Sequence, residues 1–593
     1  MDHTVKQLPL NLQTQKVVLL LCLLCALYIF IVYQVSNGER NSSSVNNPQP
    51  VNRINYRDDW SYNTSLGGEL KVFKESVNKH KGSSSDDFII NNLLNEVISE
   101  EEALKYKPCT DPNLAANRTL STLTILGSQN KAYDIGDKIY VQATLYDSYG
   151  RQKTTGGDHL RARISNAALN AFAPGVVYDL RNGSYTIVFE ALWSGKSYIS
   201  ATIAYTREAI TAQYRLTSAQ FALRLILAKY KSQQYHEDAV CHPDDKHLLA
   251  KTKYKDVCNF TSLNSGMPWY CGKPLNPKLQ CNDWTLVKHL LPKWPKSISI
   301  CEKEILASRS HQVLKKTISV VVKEHAQYNG SKITNYYQPS ISCSRYNTTK
   351  LWYEKYSTGF FFNGRWNLRH CKGFHRANFQ KCLRNKRLYL IGDSTTRQWY
   401  EDMLKRYNCT QYTEQWRYAK WKKPSGCKVA SNNFTVILTT HCQPFYVGTF
   451  WIDPKYTLIS IPKRLELIET NEEAIVLIHI FAHMVPFHQK YYRDKMKRIR
   501  AGVEKLLKRN SNVKIFIKMP HTYTSVHVDN GAINDFPGYI FSRIIVETFN
   551  GLYDKVVVLD NKDATISVAS QSLHPHTFVV ASMVDQMFSY ICE

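Results

Sequence analysis

The spacing of apolar positions divides the chain into stretches of different character. Val17 to Tyr33 is an unbroken apolar run with Lys6 and Lys16 before it. It predicts a signal anchor that ties the protein to a membrane, with residues 1–16 cytosolic; a cleaved signal peptide is the rival reading. Residues 34–108 are polar and predict a stalk, with an amphipathic helix from Phe88 to Leu104. From 109 to 215 the period becomes two. Val141, Ala143 and Leu145 alternate with polar neighbours, as do Tyr185, Ile187 and Phe189. Turns at Asp147–Gly150 and Asn182-Gly183 separate such runs, which predicts an all-β sandwich of immunoglobulin or filamin type. Residues 216–345 show little periodicity but hold Cys241, Cys258, Cys271, Cys281 and Cys301, and predict a disulfide-tied connector.

From 346 to 593 apolar runs alternate with helical spacing. Strands are expected at Leu388–Ile391, Phe434–Leu438, Ile475–Ile480, Lys514–Met519 and Lys555–Asp560. Helices are expected at Thr395–Tyr407, Asp494–Leu507, Tyr539–Phe549 and Thr577–Tyr590. The alternation predicts a three-layer α/β domain with a mostly parallel sheet. Sites in such domains sit at the carboxyl ends of the strands. Ser394 falls at such an end, as do His483, His521, Asp560 and Asp563.

Charge and cysteine usage narrow the setting. Lys and Arg number 76 against 49 Asp and Glu, a net charge of +27, so acidic partners are expected. The 13 cysteines beyond the apolar run form no tight metal-ligand clusters and read as disulfides, with one thiol left over. Asn41, Asn63, Asn117, Asn182, Asn259, Asn329, Asn347, Asn408 and Asn433 all head N-x-S/T triplets. These features together indicate the secretory pathway. They make nucleic acid an improbable partner and acidic glycans the better match.

Gly392-Asp393-Ser394 links a predicted strand to a predicted helix. A serine there meets the free N–H groups of the helix start, which favour developing negative charge. The bland alternative is that Asp393 or Ser394 only caps the helix. A nucleophilic serine needs an imidazole base and a group that orients it. His574 is the candidate base, and Asp563 or Asp560 the candidate orienting acid. His479 and His483 are four apart but lie in and after a strand without a third ligand suitably placed, so no metal is expected. Gly195-Lys196-Ser197 lacks the earlier glycine of a phosphate loop, since Glu190 stands there.

Lys381-Cys382-Leu383, the run Leu390 to Trp399, Gly359-Phe360-Phe361 and Trp366 resemble the core of the neurexophilin and PC-esterase domain (NXPE) family. Asp563-Ala564-Thr565-Ile566, Leu573-His574-Pro575 and Tyr590-Ile591-Cys592 resemble that family's end. Val177-Tyr178-Asp179, Asn182 to Tyr185 and Phe189 to Gly195 are similar to its neurexophilin-type β module. The resemblance implies an SGNH/GDSL-type esterase or O-acetyltransferase acting on glycans such as sialic acid, Golgi-anchored or secreted, with an acetyl donor such as acetyl-CoA as co-substrate and no bound cofactor. It places Ser394 as nucleophile and the N–H groups of Ser394 and Gly448 at the oxyanion. His483 stands where other SGNH enzymes use asparagine, and Asp393 and Arg397 are supports. The superfamily's Asp three residues before its histidine is Gln571 here, which leaves a Ser–His dyad or another acid. A neurexophilin-like binding glycoprotein without turnover is the alternative function.

Overall fold

The computed structural model describes residues 97–127, 132–219, 225–264, 266–290, 298–308, 311–323, 336–353, 357–373, 378–411, 425–441, 460–523 and 534–593. The apolar run at 17–33, most of the polar stretch after it, and Gly448 lie outside the described residues. Among the described residues no helix is long and apolar enough to cross a membrane. The end of the expected stalk belongs to the folded body. Ser99 caps a short helix, Glu100–Leu104, and Ala103 is buried in the core.

The alternating stretch folds into antiparallel strands β1 (Thr122–Ile125), β2 (Lys138–Thr144), β3 (His159–Asn166), β4 (Ala171–Asp179), β5 (Ser184–Glu190) and β6 (Gly195–Tyr205), in the order β1-β2-β5-β4-β3-β6. The expected connector then builds a sheet of its own. Strands β7 (Ile226–Ser232), β8 (Tyr235–His242), β9 (Val257–Asn259), β10 (Tyr270–Gly272) and β11 (Trp284–His289) pair antiparallel in the order β11-β7-β8-β10-β9. Disulfides Cys241–Cys271 and Cys258–Cys281 staple it. The chain next returns to the first sheet. Strands β12 (Gln312–Val313) and β13 (Ile318–Val322) pair with β6, and the hairpin β14 (Gly359–Phe362) and β15 (Arg365–Leu368) attaches to β4. The first sheet curls until its edges approach, for Tyr133 exchanges backbone hydrogen bonds with Val321 and Lys323. Leu123, Val141 and Ile187 share one core with Ile164, Ile199 and Ile203 inside the curl.

The C-terminal sheet contains β16 (Arg387–Gly392), β17 (Thr410–Gln411), β18 (Ser425–Val429), β19 (Phe434–Thr440), β20 (Ala474–Ile478), β21 (Lys514–Lys518) and β22 (Val556–Leu559). Its order is β17-β18-β19-β16-β20-β21-β22. The five strands from β19 to β22 are parallel, and β17 and β18 form an antiparallel edge. Around the sheet pack helices α1 (Ser394–Arg406), α2 (Gln489–Arg509), α3 (Pro537–Phe549), α4 (Lys562–Ser567) and α5 (Thr577–Ser589), with shorter helices at Phe379–Cys382 and Ile461–Glu466. The chain moves one way from β16 to β19 and the other way from β20 to β22. Right-handed crossovers therefore send α1 to one face and α2 and α3 to the other. The α/β expectation stands, with an antiparallel edge added. Every side chain of β20 is buried, as two covered faces require.

A buried ion pair joins the curled sheet to the α/β domain. Arg161 of β3 donates from Nη2 to Asp535 Oδ2 at 2.7 Å and from Nε to the Tyr539 hydroxyl at 2.8 Å. Asp535 also accepts from the Tyr205 hydroxyl and, at 2.8 Å, from the Tyr523 N–H. Burial alone would raise the Asp535 pKa, but Arg161 holds it below the ordinary carboxylate value. Breaking such a pair strands a buried charge. Arg161→Ala is expected to cost roughly 3–5 kcal/mol in urea unfolding, and Arg161→Met with Asp535→Leu to recover much of it.

Candidate active site

The order of the parallel strands reverses at β16: β19 lies on one side of it and β20 on the other. Open α/β sheets bind ligands in the crevice at such a reversal, beyond the strand carboxyl ends. Gly392 ends β16 there. A Cβ on Gly392 would stand 2.1 Å from Thr396 Oγ1 and 2.6 Å from the His479 carbonyl oxygen, so only glycine lets helix and strand come this close.

Asp393 is the N-cap of α1 and is fully buried. Its Oδ1 accepts from the Thr395 N–H at 2.9 Å and the Thr395 hydroxyl at 2.7 Å. Its Oδ2 accepts from the Ala482 N–H, beyond β20, at 3.0 Å. Burial works to raise its pKa, but His479, His483, His441 and the Thr395 hydrogen bond overrule it and hold the carboxyl well below its usual range. The capping reading is therefore correct for Asp393. It leaves Ser394, the next residue, with its hydroxyl free for another partner.

That partner is His574. His574 Nε2 lies 2.8 Å from Ser394 Oγ, across 180 residues of sequence. The carbonyls on either side of His574 are both held. His521 Nε2–H donates to the Leu573 oxygen at 2.8 Å, and Gln398 Nε2, one turn along α1 from Ser394, donates to the Pro575 oxygen at 3.0 Å. Burial lowers the His574 pKa, partly offset by Asp393. The imidazole is thus neutral near pH 7, as a proton acceptor must be.

The structure does not bring Asp563 to His574. Its Oδ2 accepts from the Thr358 N–H, just before β14, at 2.7 Å. Burial, with Asp560 adding to it, pushes its carboxyl up to about 7. Asp560 accepts from the Lys562 N–H at 2.9 Å. The chain turns into α4 after β22, and that turn carries Asp563 toward the curled sheet, while Asp560 stays near enough to act on the Lys518 charge. Among the described residues no carboxylate is hydrogen-bonded to His574. Arg397 sits 3.2 Å from Glu401 along α1. His483 Nδ1 is 2.9 Å from His441 Nε2, beside Asp393.

Behind this rim lies a basic group that the strand pattern only hinted at. Lys518 ends β21 and is 1% exposed. Its ammonium lies 3.2 Å from His479 Nε2 and 3.2 Å from His521 Nδ1. Burial pushes Lys518 down to about 7 and His479 down to about 4. A lysine inside the apolar run Lys514-Ile515-Phe516-Ile517-Lys518 was the available signal. His441, directly after β19, carried none.

Six disulfides join twelve of the cysteines, from Cys109–Cys301 to Cys382–Cys592; Cys442 lies outside the described residues. They fit the secretory pathway. Fold and site define a disulfide-bonded α/β protein with a serine–histidine pair at its strand reversal, joined to antiparallel β modules. Residues 366–592 match the family described as NXPE family member 4-like, C-terminal domain, and residues 102–290 match Neurexophilin. The chain belongs to the NXPE family.

Two predictions follow from the packing here. Gly392→Ala should lower the melting temperature and separate Ser394 from His574, because the clash includes a backbone oxygen. The second concerns pH. His441 and His521 are held well below 6.5 and His479 at about 4, so below about 6.5 the unfolded chain binds more protons than the folded one. Lys518 acts in the same direction between about 7 and 10.5. Asp393 contributes stability that disappears only below its ordinary value of 3.8. Asp563, pushed up to about 7, acts the other way between its ordinary 3.8 and about 7. The urea midpoint should therefore rise most clearly between pH 7 and pH 8, and Lys518→Met should flatten that rise.

Proposed function

We propose that the protein transfers an acyl group, through a Ser394 ester, onto a glycan hydroxyl or water in the secretory pathway. One observation carries this reading: the 2.8 Å contact between Ser394 Oγ and a neutral His574 Nε2 at the strand reversal. In the first step Ser394 Oγ attacks an ester or thioester carbonyl and its proton passes to His574 Nε2. The oxyanion forms beside the Ser394 N–H, which has no acceptor among the described residues, at the positive end of α1. His574 returns the proton to the leaving group, and an acyl-serine remains. A sugar hydroxyl or water then attacks the acyl carbonyl, with His574 as base again.

The strand order and the position of the serine support an SGNH-type reading of the domain. The curled antiparallel sheet supports an immunoglobulin-like reading of the neurexophilin part. A net charge of +27 favours acidic acceptors such as sialic acid, with an acetyl donor such as acetyl-CoA as co-substrate. Golgi anchoring through 17–33 suits that substrate. His483 and Gly448 are proposed as further oxyanion donors, and Asp393 and Arg397 as supports. The orienting role foreseen for Asp563 is set aside, because its carboxylate serves Thr358.

The second reading, a binding glycoprotein without turnover, is favoured by the absence of a carboxylate on His574 among the described residues. A fluorophosphonate probe on the purified protein decides between them. Labelling is expected at Ser394. It should vanish in Ser394→Ala and slow by roughly 1,000-fold or more in His574→Ala. O-acetylation of a sialylated acceptor from an acetyl donor should be lost in the same variants. A folded wild-type protein that takes no label would leave only the binding reading.

A further inference from the structure

Among the described residues no acid is hydrogen-bonded to His574, yet it stands at hydrogen-bonding distance from Ser394. Its neighbours on the rim must then be asked what holds it there. The hydrogen bonds around it show what does. Both carbonyls that flank His574 accept from side chains, His521 on one side and Gln398 on the other. The two donors come from different parts of the rim. Gln398 rides on α1, the helix that begins with Ser394. His521 follows β21. Serine and histidine are therefore measured against each other through a shared helix and through the sheet.

The His521 bond depends on which ring nitrogen carries the proton. The Leu573 oxygen can only accept, so Nε2, 2.8 Å from it, carries the hydrogen. Nδ1 is then the acceptor, and Lys518 Nζ, 3.2 Å away, is the donor that meets it and favours this tautomer. Lys518 is fixed in turn by His479. His479 Nδ1–H donates to the Lys518 carbonyl oxygen at 2.9 Å, so its Nε2 is free to accept from the ammonium at 3.2 Å. Lys518, His479 and His521 are each at most 2% exposed. A cation enclosed with two imidazoles is costly to bury, and a core of apolar side chains would fill the space more cheaply.

We propose that His521 and Gln398 are the positioning residues for His574, and that Lys518 acts behind them by fixing the tautomer of His521. They take over the placing of the base that a carboxylate performs elsewhere. The proposal rests on the acyl-transfer reading for its catalytic consequence, but the placing of the loop can be measured without any turnover.

The test uses the full chain and two readouts: hydrogen exchange across residues 570–576 and the rate of fluorophosphonate labelling. His521→Leu removes the donor. His521→Gln keeps an N–H able to reach the Leu573 oxygen, and Gln398→Ala removes the other tie. Lys518→Met removes the charge but keeps the length. In folded protein, His521→Leu and Gln398→Ala should each speed exchange at 570–576 and slow labelling by roughly 10- to 100-fold, the usual penalty for a base displaced by an ångström or so. His521→Gln should restore most of both. Lys518→Met should slow labelling and shift its pH profile, because His521 can then take either tautomer. Should His521→Leu stay folded with exchange and labelling both unchanged, the proposal is overturned, and the same holds if His521→Gln is no better than His521→Leu. A wild-type protein that takes no label sinks acyl transfer alone, and the exchange readout still decides whether these residues hold the loop.

Discussion

The buried carboxylate of Asp393 is the fixed point of the site. It terminates β16, starts α1 and holds the chain beyond β20 by the Ala482 N–H. An anion out of water needs donors, and here they come from two places, the first turn of α1 and the chain beyond β20. Its demands set where Ser394 emerges. His441, His479 and His483 gather at the same rim, beside this charge. Asp393 is thus structural, and it is what makes the position of Ser394 reproducible.

The parallel strands were legible because burial on both faces leaves an uninterrupted apolar run, as in Ala474–Ile478. Helices α1 and α2 were legible because one face is apolar at a period of 3.6, as Trp399 and Met403 or Ile499 and Val503 show. Other elements were hidden for physical reasons. β3 carries Arg161 and Arg163 where a sandwich strand would be apolar, because its covered side meets Asp535 and the Ser567 carbonyl of the other domain. β4 contains Pro174 and Gly175, which argue against a strand. The sheet β7–β11 was read as a loose connector because cystines replace much of its apolar face. Cys241 and Cys271 stand opposite each other in register and are joined.

The site itself was half legible. Ser394 and His574 follow from strand ends and spacing, and the structure puts them together. The supposed orienting acid did not follow, because proximity in sequence to a strand end says nothing about which way the next turn faces. Asp563 turned toward Thr358 of the β part. Lys518 and His521 were visible only as a charge and an imidazole at the end of an apolar strand. Their partnership is a property of the sheet, since β20 must lie beside β21 before His479 can meet Lys518.

The wide separation of serine and histidine has a consequence for biosynthesis. When Ser394 is added to the growing chain, 180 residues must still follow before His574. Through that interval the hydroxyl has no base and is chemically ordinary. The nascent chain therefore enters the secretory pathway without the serine–histidine pair. The pair forms late and all at once, when the loop after the last strand folds back over the sheet.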